Sequence, residues 1–232
     1  SATSLQVDGA ASFNGTSNYI DLAAVNGDLN TSEGTMEMWL NEDPLTSTIQ
    51  QPISFRVDGN NQIDMADLDG AASLEFRFTY FAGGTQDYVS TDLMSDNNST
   101  HFVAHTWSKA ADQLKAYVDG VQAGTTQTTL GTFSGTPSWG ALSRSSGGTV
   151  WYKGKMDEVR ISNTPRSAGW ITTGYNSQYS AATFFGLGPQ ESKNVSVSPG
   201  LKYGSKTSTD TVSSWYTSGA NAWTYRRKIT IN

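Results

Sequence analysis

Between His101 and Gly124 the sequence reads HFVAHTWSKAADQLKAYVDGVQAG, two runs of alternating side chains joined by a polar turn, the second closing on Asp119-Gly120. No other stretch narrows the possible folds so far. Phe102, Ala104 and Thr106 alternate with His101, Val103, His105 and Trp107, and Leu114, Ala116 and Val118 alternate with Lys115 and Tyr117. This period of two belongs to strands that bury one face. Asp-Gly supplies the positive φ values of a two-residue hairpin turn, so Val121–Gly124 is expected to fold back beside Leu114–Val118. The stretch therefore predicts antiparallel sheet.

The same period recurs along the chain. Met36, Met38 and Leu40 alternate with Glu37 and Trp39, and Leu74, Phe76, Phe78 and Tyr80 alternate with Glu75 and Arg77; in each set the apolar side is the predicted core face. Further strands are expected at 53–57, 63–68, 88–91, 150–152, 156–161 and 183–187, with a loop-rich region at 125–148. The one short helix is expected over Ala168–Tyr175, with Trp170, Ile171 and Tyr175 sealing an end of the fold. With 23 glycines and 11% aromatic residues, the composition suits many strands and turns rather than helical bundles. A formal charge of -6 argues against a nucleic-acid partner, which wants a concentrated basic face. The absence of cysteine excludes disulfides and thiolate metal sites, and no apolar run reaches membrane-spanning length.

Four blocks carry a family resemblance. A strand ending in Trp107 followed by a polar turn and LKAYVDG, together with ASFNGTSNYIDL, GTMEMWLN and GKMDEVRISNTPRSAGWITTGYN, resembles a laminin-G-like, concanavalin A-like lectin-glucanase jelly roll. The blocks stand in that family's order over about residues 5 to 190. The resemblance implies an all-β, two-sheet antiparallel jelly-roll sandwich over residues 1–190, in a secreted or cell-surface protein. It also implies a structural calcium site at Asp157, the Asp of the closing D-x-V-R-I strand, with Asn14 and Gly15 as its neighbourhood and Asn18 or Asp21 beside them. The E-x-D-x-x-E strand of glucanases that share this sandwich is missing, which points to a non-enzymatic module. Glu42-Asp43 falls in a predicted loop, and Asp157 and Glu158, adjacent in a strand, are expected on opposite faces.

Residues 191–232 form a Ser/Thr/Gly-rich extension ending in a strand. Its close, WTYRRKITI, resembles the first strand of a prokaryotic surface-protein domain of unassigned function. Either the chain is cut within its next domain, or the last strand completes another sheet. In the second case Trp223, Tyr225, Arg226, Arg227, Lys228, Ile229 and Ile231 make an assembly strand, and head-to-tail donation of it builds a filament. Arg226, Arg227 and Lys228 are then expected to dock on an acidic neighbour; the alternative is that they are gatekeepers against aggregation beside a strand.

Glycan binding is the leading ligand chemistry, because sugars stack on exposed aromatic rings while Asn and Arg bond their hydroxyls. The candidates are Trp139, Arg144, Trp151, Tyr152, Asn97 and Asn98, although aromatic residues are also ordinary core and rim residues of a sandwich. His101 and His105 stand about 13 Å apart on a strand and cannot share an ion. Asp64, Asp67 and Asp69 are read as solvated turn carboxylates. The expected function is a glycan- or matrix-binding, adhesive surface module; the alternative is a structural subunit of an extracellular filament assembled by C-terminal strand donation.

Overall fold

A computed structural model of the chain describes residues 9–43, 49–68, 75–92, 99–187 and 229–231. It divides into two compact units between Tyr175 and Asn176. In the first unit, the strands are β1 (Ala11–Asn14), β2 (Ile20–Asp21), β3 (Glu33–Glu42), β4 (Gln50–Asp58), β5 (Asn61–Asp67), β6 (Phe76–Ala82), β7 (Thr85–Thr91), β8 (Thr100–Ser108), β9 (Gln113–Val118), β10 (Val121–Gln127), β11 (Trp139–Leu142) and β12 (Lys153–Ser162). They form two six-stranded antiparallel sheets, ordered β1-β12-β3-β8-β9-β10 (sheet A) and β2-β11-β4-β5-β6-β7 (sheet B). This is the expected jelly-roll sandwich.

The organising hairpin forms as its residues dictate. Asp119 and Gly120 take φ values of 49° and 78°, and Val121 pairs with Val118 across the turn. Asp119 also ties the turn to β8: one carboxylate oxygen accepts the Phe102 N–H at 2.9 Å, and the other lies 2.8 Å from His101 Nδ1. Between the sheets, Met36, Met38 and Leu40 meet Ile53, Phe55, Phe76, Phe78, Trp107 and Leu114 in one core. Both apolar faces predicted from alternation lie in it, except for Leu74, which falls outside the described residues.

The opposite face of β8 is buried as well. Trp39, Phe102, Ala104 and Tyr117 form a second cluster with Ile171, and Tyr175 packs against it. Both helical residues come from α1 (Ala168–Tyr179). Trp39 lies 5.5 Å from Phe102 and stacks on Tyr175 at 5.7 Å. The helix thus roofs the outside of sheet A rather than sealing an end of the sandwich. The physical reason is that three aromatic residues on one sheet face expose more apolar surface than water tolerates cheaply, at about 25 cal/mol per Å². Trp170, expected in the seal, is exposed and lies under the Arg166 guanidinium at 4.2 Å.

Three further expectations are corrected. Asp64 and Asp67 are buried in β5, not solvated in a turn. The region expected to be loop-rich contains β11, a full member of sheet B. Residues 183–187 divide between a second helix, α2 (Ala181–Phe184), and β13 (Phe185–Leu187). This pair belongs to the second unit, where β13 pairs antiparallel with β14 (Ile229–Ile231), Phe185 opposite Ile231 and Leu187 opposite Ile229. Trp223, Tyr225, Arg226, Arg227 and Lys228 lie outside the described residues.

Close packing at the β3–β8 crossing gives a direct test. A Cβ on Gly34 would sit 2.3 Å from Trp107 Cζ2 and 2.9 Å from the Ser162 carbonyl oxygen. Gly34→Ala is therefore expected to cost about 1–3 kcal/mol, the usual range for overpacking a filled core. Urea unfolding checks it: an unchanged midpoint would mean that the Trp107 ring yields freely.

Candidate functional site

Residues directly opposite in antiparallel strands share a sheet face, so the register lays out the outer face of sheet B in rows. One row runs Trp139, Arg56, Gln62, Phe81 and Gln86; the next runs Ala141, Ser54, Asp64, Thr79 and Tyr88; a third holds Ala66, Arg77 and Ser90. Their strand neighbours Phe55, Ile63, Met65, Phe78 and Tyr80 point into the core. Hydrophobic residues fill the inner face, and the outer one keeps arginine, carboxylate, hydroxyl and aromatic groups.

On the β7 side, Arg77 Nε donates to Glu75 at 2.7 Å, Glu75 accepts the Ser90 hydroxyl at 2.6 Å, and the guanidinium lies 4.3 Å over the Tyr88 ring. That arginine is committed. Asp64, in the middle row, is buried, and burial pushes its carboxyl up to about 7 against the opposing hydrogen bond from Thr79 and the charge of Arg56.

The other margin is different. After β11 the chain turns through Ser143, at φ 67°, into a small hairpin in which Arg144 bridges Trp151. Gly148, at φ 66°, closes it, its N–H donating to the Ser145 carbonyl at 2.9 Å. The Arg144 guanidinium stands 4.8 Å from the Tyr19 ring, 5.0 Å from Trp139 and 5.4 Å from Trp151. Tyr19 meets Trp151 edge to face at 6.2 Å. Arg56 joins from β4, its Nη1 donating to Ser146 Oγ at 2.8 Å. Arg144 and the two tryptophans are half-buried, and Tyr19 is exposed. Arg144 Nε and Trp139 Nε1 are buried with no acceptor among the described residues.

Three of the six sequence-predicted ligand residues therefore meet at one place: Trp139, Arg144 and Trp151. Tyr152 does not belong with them. It is wholly buried, packs on Phe13 at 6.3 Å, and its hydroxyl donates to the Lys155 carbonyl at 3.2 Å. Adjacent residues in extended chain face opposite ways, so exposing Trp151 turns Tyr152 inward. Asn97 and Asn98 lie outside the described residues. Sequence reasoning missed Tyr19 and Arg56. The available signals were a tyrosine just ahead of a short strand and an arginine opposite a tryptophan once β11 is recognised.

Among the residues expected to hold calcium, Asn14, Asp157 and Asp21 each accept backbone N–H groups. Asn14 pairs with Lys153, four positions along β12 from Asp157, about 13 Å on a strand. Asn14 Oδ1 accepts the N–H groups of Thr16, Ser17 and Asn18 at 2.9–3.1 Å, so it closes its own Gly15 turn. Asp157 Oδ1 accepts the Glu158 N–H at 2.8 Å, and Asp21 Oδ1, on the other sheet, accepts the Ala23 N–H at 2.8 Å. A calcium ion takes six to eight oxygens, and no group of three or more His, Asp or Glu among the described residues is placed to hold a metal.

A laminin-G family model described as the concanavalin A-like lectin/glucanases superfamily matches residues 14–172. No curated protein matches the chain in sequence. Among solved structures, the CBM40 domain of the Ruminococcus gnavus IT-sialidase bound to α2,3-sialyllactose superposes with a TM-score of 0.59 at 15% identity, over 72% of this chain and 96% of that one. Domain 4 of an extracellular arabinanase from Geobacillus stearothermophilus, in complex with arabinotriose, gives 0.54 at 18%, over 72% and 77%. A pentraxin from Limulus polyphemus gives 0.53 at 14%, over 71% and 80%.

Proposed function

The chain belongs to the concanavalin A-like lectin/glucanases superfamily, and from that premise we propose that it is a non-catalytic glycan-binding module of a secreted or cell-surface protein. The observation that carries this reading is the gathering of Tyr19, Trp139 and Trp151 around Arg144 at one margin of sheet B. Aromatic rings offer apolar faces to the C–H side of a sugar, and a fixed guanidinium offers donors to its oxygens. The complexes of two fold relatives with sialyllactose and arabinotriose support the ligand class. The extracellular origin of the arabinanase supports the location, and no described helix is long and apolar enough to cross a membrane.

A non-catalytic role is supported by how the adjacent carboxylates are used. Asp157 accepts the Glu158 N–H and Glu158 binds Arg160, an arrangement of backbone and ion-pair anchoring rather than of a spaced acid and nucleophile. End-to-end assembly through the last strand is the weaker reading, because Ile229 and Ile231 pair with β13 of the same chain.

Trp151→Ala is expected to weaken glycan binding at least about tenfold, the loss of some 1.4 kcal/mol of stacking and positioning, with the protein still folded and its thermal midpoint lowered only by the loss of the Tyr19 and Arg144 contacts. A glycan array with wild-type protein, followed by calorimetric titration of the best ligand, checks it. Full affinity in the variant would move the site elsewhere. No retained glycan at all would remove the reading.

A further inference from the structure

The arginines of sheet B and β12 differ in one respect that bears on the ligand. Arg56 donates to the Asp58 carbonyl and Ser146, Arg77 to Glu75, and Arg160 to Glu37 and Glu158. Arg166, beyond β12, donates to Ser162. Arg144 alone among the described arginines has rings around it and no oxygen acceptor. Arg144 Nε, like Arg166 Nε, is a buried donor with no acceptor among the described residues, but Arg166 donates elsewhere.

The cage has a definite chemical effect. Aromatic faces attract the guanidinium; its Nε is buried on the Gly148 side, and the terminal nitrogens are the donors left to a ligand. The three rings surround the guanidinium without neutralising its formal charge. Arg56 adds a second positive centre on the neighbouring strand, joined to the same hairpin through Ser146. No carboxylate of the chain is hydrogen-bonded or ion-paired to Arg144 among the described residues. A caged cation with unused planar donors is matched by a planar two-oxygen anion, which accepts two parallel hydrogen bonds.

We propose that Arg144, with Trp139, Trp151 and Tyr19 around it, is an anion receptor, and that the glycan this domain takes carries a carboxylate on the sugar seated there. This rests on the glycan-binding reading and deepens it. A neutral sugar would satisfy the rings and leave the charge uncompensated; an acidic one satisfies both. Arg144 is then the residue that determines specificity, and the aromatic rings contribute most of the contact area.

The test uses the full chain and two pairs of probes: 3′-sialyllactose with its methyl ester, and trigalacturonic acid with its methyl ester, titrated by calorimetry at low and at physiological salt. At least one acid is expected to bind ten or more times tighter than its ester, and the preference is expected to shrink as salt rises. Arg144→Gln is expected to bring acid and ester to the same affinity, and Arg144→Lys to retain part of the preference. The comparison of acid with ester in wild-type protein needs no variant, so a misfolded Arg144→Gln leaves the test intact. Equal binding of acid and ester by the wild type overturns the anion receptor while glycan binding stands. Binding of 3′-sulfolactose in preference to both acids also overturns the carboxylate assignment. Neutral and acidic sugars all failing to bind overturns the glycan reading together with it.

Discussion

Asp64→Asn is expected to stabilise the protein at pH 8 and to change little at pH 4. The Asp64 carboxyl is fully buried in β5, and burial raises it from 3.8 to about 7. In the unfolded chain the same group ionises near its ordinary value. Between about pH 4 and pH 7 the unfolded state therefore releases a proton that the folded state keeps, and stability falls as pH rises through that window. Above about 7 the loss is complete and the curve levels. A shift of this size corresponds to about 4 kcal/mol at most. Asparagine cannot ionise and still accepts the Thr79 hydrogen bond, so the variant lacks this slope. Thermal melts at half-unit pH steps from 4 to 8 check it. A gap between variant and wild type that does not widen with pH would mean that Arg56 keeps Asp64 ionised in the folded state.

His105→Leu is expected to show the mirror image. The imidazole is fully buried between Phe78, at 6.2 Å, and Trp107, at 5.4 Å, and neither ring nitrogen has a hydrogen-bond partner among the described residues. Burial lowers it from 6.5 to about 3, so the folded state holds it neutral while the unfolded chain protonates. Its contribution is complete above about pH 6.5 and is lost as pH falls toward 3, by about 5 kcal/mol in all. The leucine variant removes that loss and fills a similar volume. Together the two groups make a specific signature: between about pH 4 and 6.5 their slopes oppose and the wild type looks flat. Each single variant uncovers the slope of the other group, and the double variant is flat again. Chemical denaturation of all four proteins at pH 4, 5, 6 and 7 would settle it; parallel curves for wild type and both single variants would refute the pair.

Much of the fold is legible along the chain because strand chemistry is local. Alternation at Met36–Leu40, Phe76–Tyr80 and Val103–Trp107 marks which side chains face the core between the sheets, and Asp119-Gly120 takes the positive φ values of the hairpin turn its type predicts. Trp139–Leu142 was harder to read, since a four-residue strand among Gly, Ser and Thr carries too few alternations to stand out.

The candidate site was half legible. Trp139, Arg144 and Trp151 are the right residue types for sugar recognition, but nothing in their spacing brings Tyr19 to them. That contact depends on β2 pairing with β11, Ala141 opposite Asp21 and Leu142 opposite Ile20. Tyr152 was misread for the opposite reason: its type suited the site, and its neighbour's exposure turned it inward.

By itself, then, the sequence determined the strand chemistry, the central hairpin and the residue types available to a ligand, because each follows from side-chain periodicity or from the φ preferences of a few residues, while the sandwich class came from the resemblance of four ordered blocks to a known family. Only the tertiary structure decided that α1 roofs sheet A, that Asp64 and His105 lose their water, and that one arginine stands among three rings. Those outcomes depend on which residues meet across sheets and loops, and desolvation and cation–π contact act only between groups that the fold has already brought together.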